Sequence, residues 1–325
     1  MSRTGIVAAL LVLGLTATAP SAAVAQDAFP SKPIQLIVPF PPGASTDLLG
    51  RYLGSKLGAA LGGTVVVENR PGAAGVIGAS YVAKAPPDGH TLLIASSSVT
   101  NAPQLQKTPA FDATRDLAPI TIAFQHPFVL VANPNLPSQD IRGLIAYAKA
   151  NPGKLNIATL GGFSDLMAIM FRTAAGIDVQ VVPYRGAAEA AVGVMRGDSH
   201  MALNAFSAVQ GQVRAGQLRA MAIAALHRSP STPSDLPLLQ DVGLTGFELI
   251  NVIGVLAPGG TPKPVLDKLN SVISGIMSSA EAREFLITRG NDPAEDMSAA
   301  AYVAYIKKDN ERFKSVVEAV GYEKK

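Results

Sequence analysis

The sequence predicts an α/β protein of two domains, and three observations carry that expectation. Short apolar runs at 34–38, 64–67, 91–95, 120–123, 128–131, 156–158, 179–182, 201–205 and 218–225 have the length and composition of buried strands. Longer amphipathic stretches lie between several of them, at 47–61, 141–151, 164–175, 187–195 and 208–215, and such alternation favours largely parallel sheets flanked by helices. About 300 residues remain once an amino-terminal leader is set aside, a length that suits two domains.

That leader comes first in the chain. Arg3, an apolar run at 6–15 and the small-residue site Ala23-Val24-Ala25 have the three parts of a secretory signal peptide. The run is too short to span a membrane as a helix. Cleavage after Ala25 would release an exported chain beginning at Gln26; the compartment implied by the resemblance given below is the periplasm. Cysteine is absent, which excludes thiol redox chemistry and thiolate metal sites and leaves a core that needs no disulfides. The net charge of +3 comes without a basic cluster, so nothing points to nucleic acid.

The run at 34–38 reads as a strand and Leu48, Leu49, Tyr52, Leu53, Leu57 and Leu61 as one face of a helix, so Pro39-Phe40-Pro41-Pro42-Gly43-Ala44-Ser45-Thr46-Asp47 is a strand-to-helix loop. Its prolines stiffen the turn, Gly43 permits close backbone approach, and Ser45, Thr46 or Asp47 is suited to cap the helix. Unpaired N–H groups at such a helix start can hold an anion such as a carboxylate. After the next strand, Gly72-Ala73-Ala74-Gly75-Val76-Ile77-Gly78 imitates a dinucleotide fingerprint, but its glycines are spaced G-x-x-G-x-x-G and the next acid, Asp88, sits in a Pro-Pro-Asp-Gly turn. A nucleotide site is not expected. Ala73 and Ala74 either form a tight turn alone or also bring backbone N–H groups to a ligand. Ser96-Ser97-Ser98 closes a third strand and offers hydroxyls in a loop reaching Asn101.

Pro127, Pro134 and Pro137 interrupt the chain before a second set of βα units. There, Thr159-Leu160-Gly161-Gly162-Phe163-Ser164-Asp165 repeats the hydroxyl, glycine and helix order of the first loop. Helix starts facing each other across a cleft would clasp a dicarboxylate, one carboxylate on each side. Arg185 could pair with an anion or be a solvated charge, and Asn204 could orient a ligand or satisfy a turn. Residues 230–246 read as a connecting loop, 249–256 as a strand, 258–264 as a turn and 265–277 as a helix. The final helices, at 280–289 and 298–320, present Tyr302, Tyr305, Ile306, Phe313, Val316 and Val317 as core-facing cover.

Catalytic constellations are poor. His90, His126, His200 and His227 show no helical metal-site spacing with each other, and neither a G-x-S-x-G elbow nor a phosphate-binding G-x-x-x-x-G-K-[ST] loop occurs. Binding is favoured over catalysis, with no cofactor.

The run PFPPGASTD, followed by Asn69-Arg70-Pro71-Gly72-Ala73-Ala74-Gly75, Pro86-Pro87-Asp88-Gly89-His90, Val182-Pro183-Tyr184-Arg185-Gly186 and Ala257-Pro258-Gly259-Gly260-Thr261-Pro262-Lys263-Pro264, resembles the Bug-type solute receptors of tripartite tricarboxylate transporter systems. The resemblance covers residues 29–321. It implies two doubly wound α/β domains of the periplasmic binding protein type, joined by two crossing strands, with one lobe made of 26–126 and 250–325 and the other of 127–249. It also implies a monomer that closes like a flytrap on a small carboxylate, using few charged side chains, and delivers it to a permease of one large and one small membrane subunit. The implied ligand-binding residues are Phe40, Gly43, Ala44, Ser45, Thr46, Asp47, Ala73, Ala74, Ser97, Thr159, Gly161, Gly162, Tyr184, Arg185 and Asn204. Two departures bear on ligand identity. The loop 158–167 looks short and lacks the family's Ser-Gly-Asn-Gly run and following His, and Asn251 and Asn204 stand where the family often has an aromatic residue and Asp. The alternatives are a sensor for a membrane signalling protein and an exported hydrolase using Ser45 or Ser97.

Overall fold

Three apolar runs of the amino-terminal half, β1 (Ile34–Val38), β2 (Val65–Asn69) and β3 (Thr91–Ser96), pair in parallel, with α1 (Ser45–Leu61) and α2 (Val76–Ala83) as their crossovers. The computed structural model describes residues 29–160, 163–225, 227–247, 251–319, 321, 322 and 324. The expected leader at 1–25 and the predicted ligand-loop residues Gly161 and Gly162 lie outside that range. Along α1, Leu49, Leu53 and Leu57 repeat every four residues and are wholly buried, each contributing roughly 1.5–3 kcal/mol of hydrophobic free energy, whereas Leu48, expected on the same face, is exposed, one position round the helix from Leu49. Gly50 lets the helix lie directly on the sheet, because a Cβ there would stand 2.7 Å from Val38 Cγ2.

The rest of the first sheet comes from further along the chain. The strand after β3 is β4 (Leu117–His126), and β10 (Asn251–Pro258) lies antiparallel between the two, with β11 (Asp292–Pro293) outside β4. The order is β11-β4-β10-β3-β1-β2. A second sheet has the order β7-β6-β8-β5-β9, with β6 (Leu155–Thr159), β7 (Val179–Pro183) and β8 (Met201–Ala205) parallel and β5 (Phe128–Ala132) antiparallel to β8 and β9 (Arg219–Ala224). Most strands of each sheet run one way, as expected, with β10 and β11 in the first and β5 in the second opposed to them. Strands that carry the chain between sheets enter from the far end and run against their neighbours.

Helices α4 (Ile141–Ala150), α5 (Phe163–Ala175), α6 (Ala187–Arg196) and α7 (Phe206–Arg214) cover the second sheet. The first sheet gains α8 (Lys263–Met277) and α9 (Ala280–Ile287) on the face that holds α1, and α10 (Ala299–Ala319) on the other, through Tyr302 and Ile306. The far end of α10 then reaches the second lobe. Phe313 stacks on Phe163 of α5 with centroids 5.6 Å apart, and Leu166, Phe313 and Val317 form a small buried cluster. The predicted loop 96–101 is a short helix instead, α3 (Ser97–Asn101). Its side chains are held in place by the crossing strand, as described below.

Candidate functional site

Register places the two sets of loops face to face. Phe128, at the start of β5, pairs with Ala205 at the end of β8, while His126 at the end of β4 pairs with Asn251 at the start of β10, whose Ile253 pairs with Ser96 at the end of β3. The carboxyl ends of both parallel strand sets thus flank the crossing. In open α/β sheets this is where ligands sit.

In the first lobe, one buried carboxylate builds the loop. Asp47 Oδ2 accepts from the Gly43 N–H at 2.9 Å and from Arg51 Nε at 3.0 Å, and Oδ1 accepts from Asn69 Nδ2 at 2.9 Å. Asn69 also donates to the Phe40 carbonyl, tying β2 to the loop. Burial favours the protonated acid, but these bonds from Gly43, Arg51 and Asn69 outweigh it and hold Asp47 below the usual carboxylate range. The expected side-chain cap is absent. Ala44 is the N-cap and makes no side-chain bond, so Asp47, at the third helical position, reaches back past it to Gly43. The first backbone bond of α1 runs from the Leu48 N–H to the Ala44 carbonyl, which leaves the N–H groups of Ser45, Thr46 and Asp47 without an intrahelical acceptor. Thr46 is 3% exposed, and its Oγ1 has no partner.

The neighbouring loop is strained. Gly72, Ala73, Ala74 and Gly75 all have positive φ, at 131°, 47°, 54° and 94°. For the two alanines this costs roughly 1–3 kcal/mol each, and both are exposed. Gly75 packs against the first loop, since a Cβ there would meet Val99 Cγ2 at 2.7 Å and Phe40 Cζ at 3.5 Å. Turn and backbone-presenting readings of this loop are both compatible with such geometry; strain held at an exposed turn favours the second.

Ser97 is committed elsewhere. Its N–H donates to Asn251 Oδ1 at 3.0 Å, its Oγ accepts from the Val252 N–H at 3.0 Å, and the same hydroxyl lies 2.9 Å from Tyr305 Oη. The residue locks β3 to the crossing strand and to α10. In the second lobe, Thr159 is buried with its hydroxyl 3.5 Å from the Val182 carbonyl. Tyr184 turns inward, its Oη 3.0 Å from Ser199 Oγ and its ring against Gly193. Arg185 is exposed, and its backbone N–H donates to Glu189. Asn204 is 2% exposed, and its Nδ2 has no partner. The structure therefore brings together Phe40, Gly43, Ala44, Ser45, Thr46, Asp47, Ala73 and Ala74, while the Ser97, Thr159 and Tyr184 side chains serve packing.

His126 has no helical spacing to another histidine, so spacing does not mark it in the sequence. The ring lies at the crossing, with Nε2 3.2 Å from Ser45 Oγ and Nδ1 3.3 Å from Ser207 Oγ of α7. Its place immediately before Pro127 at the lobe junction was the available signal. Burial lowers its pKa to about 4, and the buried Asn291 amide oxygen pulls the other way without reaching hydrogen-bond geometry. A cavity of about 440 Å³ lies at the crossing, lined by His126, Arg228, Arg283, Asp292, Glu295 and Tyr305 among others. None of the loops above lines it, and its mixed charges suit no single anion. Among the described residues no group of three or more His, Asp or Glu side chains could hold a metal.

Residues 49–322 match the family model described as the tripartite tricarboxylate transporter family receptor. Protein BugT of Bordetella pertussis is 38% identical over 290 residues, covering 87% of this chain and 89% of that protein. Two solved structures from Rhodopseudomonas palustris share the fold. Rpa4515 with adipate is 28% identical with a TM-score of 0.81, covering 90% of this chain and 98% of that one. MatC with bound malate is 27% identical with a TM-score of 0.78, covering 89% of this chain and 100% of that one.

Proposed function

The chain belongs to the tripartite tricarboxylate transporter receptor family, and from that premise we propose that it captures a small organic acid between its lobes and delivers it to a membrane transporter. One observation carries the reading. Of the seven buried side-chain polar atoms without a partner among the described residues, Thr46 Oγ1 belongs to the first lobe's loop at the start of α1 and Asn204 Nδ2 to the end of β8 in the second. Such atoms cost roughly 1–3 kcal/mol each while unmet. Both can donate; Thr46 stands at the start of α1 and Asn204 at the end of β8. With the open N–H groups of α1 and the strained 72–75 turn, they suit carboxylate oxygens.

The ligand classes are di- or tricarboxylates, aromatic acids and acidic amino acids. Adipate and malate in the two neighbours support the first of these. Exposed Leu48, Ile77 and Leu160 lie beside the same loops and would pack on a ligand's carbon skeleton. The lobes are proposed to divide as 26–126 with 250–325 and 127–249, closing by a hinge at the crossing. Export with cleavage after Ala25, action as a monomer, and hand-over to one large and one small permease subunit complete the proposal.

A hydrolase reading rests on the Ser45–His126 pair, which has the spacing of a nucleophile and base. The other ring nitrogen faces the Ser207 hydroxyl, so no carboxylate orients a base there, and binding is preferred. The test is a thermal-shift screen of the chain from Gln26 against mono-, di- and tricarboxylates, aromatic acids, acidic amino acids and neutral controls. A ligand at about 100 times its Kd adds roughly 2.7 kcal/mol and moves the midpoint by several degrees. Selective shifts with carboxylates, and ligand recovered unchanged, support the receptor. A shift only with neutral or nucleotide compounds would overturn it.

A further inference from the structure

His126 is the one side chain described here that touches helix starts of both lobes through hydrogen bonds. Ser45 is the first residue of α1 and Ser207 the second of α7, and the ring lies between their hydroxyls at 3.2 Å and 3.3 Å. Its plane is set by an edge-on contact with Phe124, centroids 5.0 Å apart and planes at 88°, and the residue is 3% exposed. The first lobe also closes on Ser207 through backbone. A Cβ at Gly290 would stand 3.0 Å from both Ser207 N and Ser207 Cα, and Gly290 has φ +73°, so glycine suits the close seat of that turn against α7. The buried Asn291 side chain beside it faces the same ring.

We infer that His126 is a positioning residue for ligand capture, fixing the seat of the second lobe's α7 relative to the ligand loop of the first. This rests on the receptor reading for its purpose but not for its geometry. A neutral imidazole has one donor and one acceptor, so one serine accepts from the ring and the other donates to it. Parting the lobes breaks at least one of these bonds. A ligand that holds Ser45 in place thereby also favours the closed placement of α7, which is differential affinity for one of two states.

The test uses the absence of cysteine. Two exposed positions, Val66 in β2 and Gln180 in β7, are changed to cysteine in the chain from Gln26 and spin-labelled, and the interlobe distance distribution is read without any ligand. His126→Leu keeps bulk and loses both bonds; it is expected to add a longer-distance population about tenfold above that of the parent, the effect of one to two lost hydrogen bonds. His126→Gln, whose amide both donates and accepts, is expected to restore the parent distribution. Ser207→Ala, a smaller change, is expected to give an intermediate one, and it stands in if the leucine variant fails to fold. Parent-like distances in both His126→Leu and Ser207→Ala would overturn the inference. So would equal lengthening in the leucine and glutamine variants, which would make the ring a packing residue alone. Because no ligand enters the measurement, its failure is distinct from failure of the acid screen.

Discussion

The two lobes present their ligand loops in different ways. In the first, Asp47 fixes Gly43, Arg51 and Asn69 with bonds of 2.9–3.0 Å, and four successive residues hold positive φ beside it. That surface is built before any ligand arrives. In the second, Thr159 and Tyr184 face their own lobe, Asn204 Nδ2 waits unpaired, and α5 meets the first lobe through apolar stacking of Phe163 on Phe313. The first loop is therefore held in one shape, which on the proposed reading lowers the ordering cost of binding an anion. The second lobe supplies shape and a few donors, so selectivity among acids should reside there.

The largest expected effect comes from cutting the apolar seam between lobes. Phe313→Ala removes a side chain that is 3% exposed and should cost about 4 kcal/mol in urea unfolding; a loss below about 1 kcal/mol would mean that α10 and α5 merely touch. Asp47→Ala should cost about 3 kcal/mol, because the buried carboxylate's charge-assisted bonds from the Gly43 N–H, Arg51 and Asn69 are lost. It should also abolish acid binding, whereas loss of stability with binding intact would show that the first loop needs no preset shape.

Acidification sharpens the comparison at the crossing. The folded ring of His126 refuses a proton until about pH 4, while an unfolded histidine takes one near pH 6.5. Between those values the unfolded chain binds more protons, so stability falls as pH falls, by up to about 3 kcal/mol. Asp292 and Asp309 act in the opposite sense, since burial raises both against their hydrogen bonds, and protonation then favours the folded state as pH falls toward 3.8. Urea melts from pH 7 to pH 4 should show the net slope, and His126→Gln should flatten it; an unchanged slope would place the ring in water. The smallest effect belongs to the strained turn. Ala74→Gly should stabilise by less than about 1 kcal/mol, relief of the left-handed alanine being offset by a more flexible unfolded chain. A clear loss of stability there would remove the case for stored strain.

Strand and helix positions were legible because the apolar periods at 34–38, 49–57 and 201–205 coincide with β1, the buried face of α1 and β8. Antiparallel crossing strands were not, since a buried run carries no sign of its direction. The strand-to-helix loop at 39–44 and the turn at 72–75, proposed as ligand loops, were legible as loops from their prolines and glycines. Which residue organises them could not: Asp47 was grouped with possible caps, yet it bonds to Gly43, four residues back, and to Asn69 from the next strand. Ser97 and Tyr184 show the same limit, because their partners Val252, Tyr305 and Ser199 are distant in sequence or across a helix. His126 escaped notice for a related reason, its two partners lying 81 residues away on either side.

The most direct test of the clasp is the double variant Thr46→Val with Asn204→Leu, melted with and without the acid that shifts the parent chain most. Removing two buried atoms that lack partners should leave the unliganded midpoint equal to or above the parent's, and abolish the shift on adding the acid. A retained shift, a midpoint that falls with the double change, or a parent chain that no carboxylate stabilises would contradict capture of an acid between the lobes.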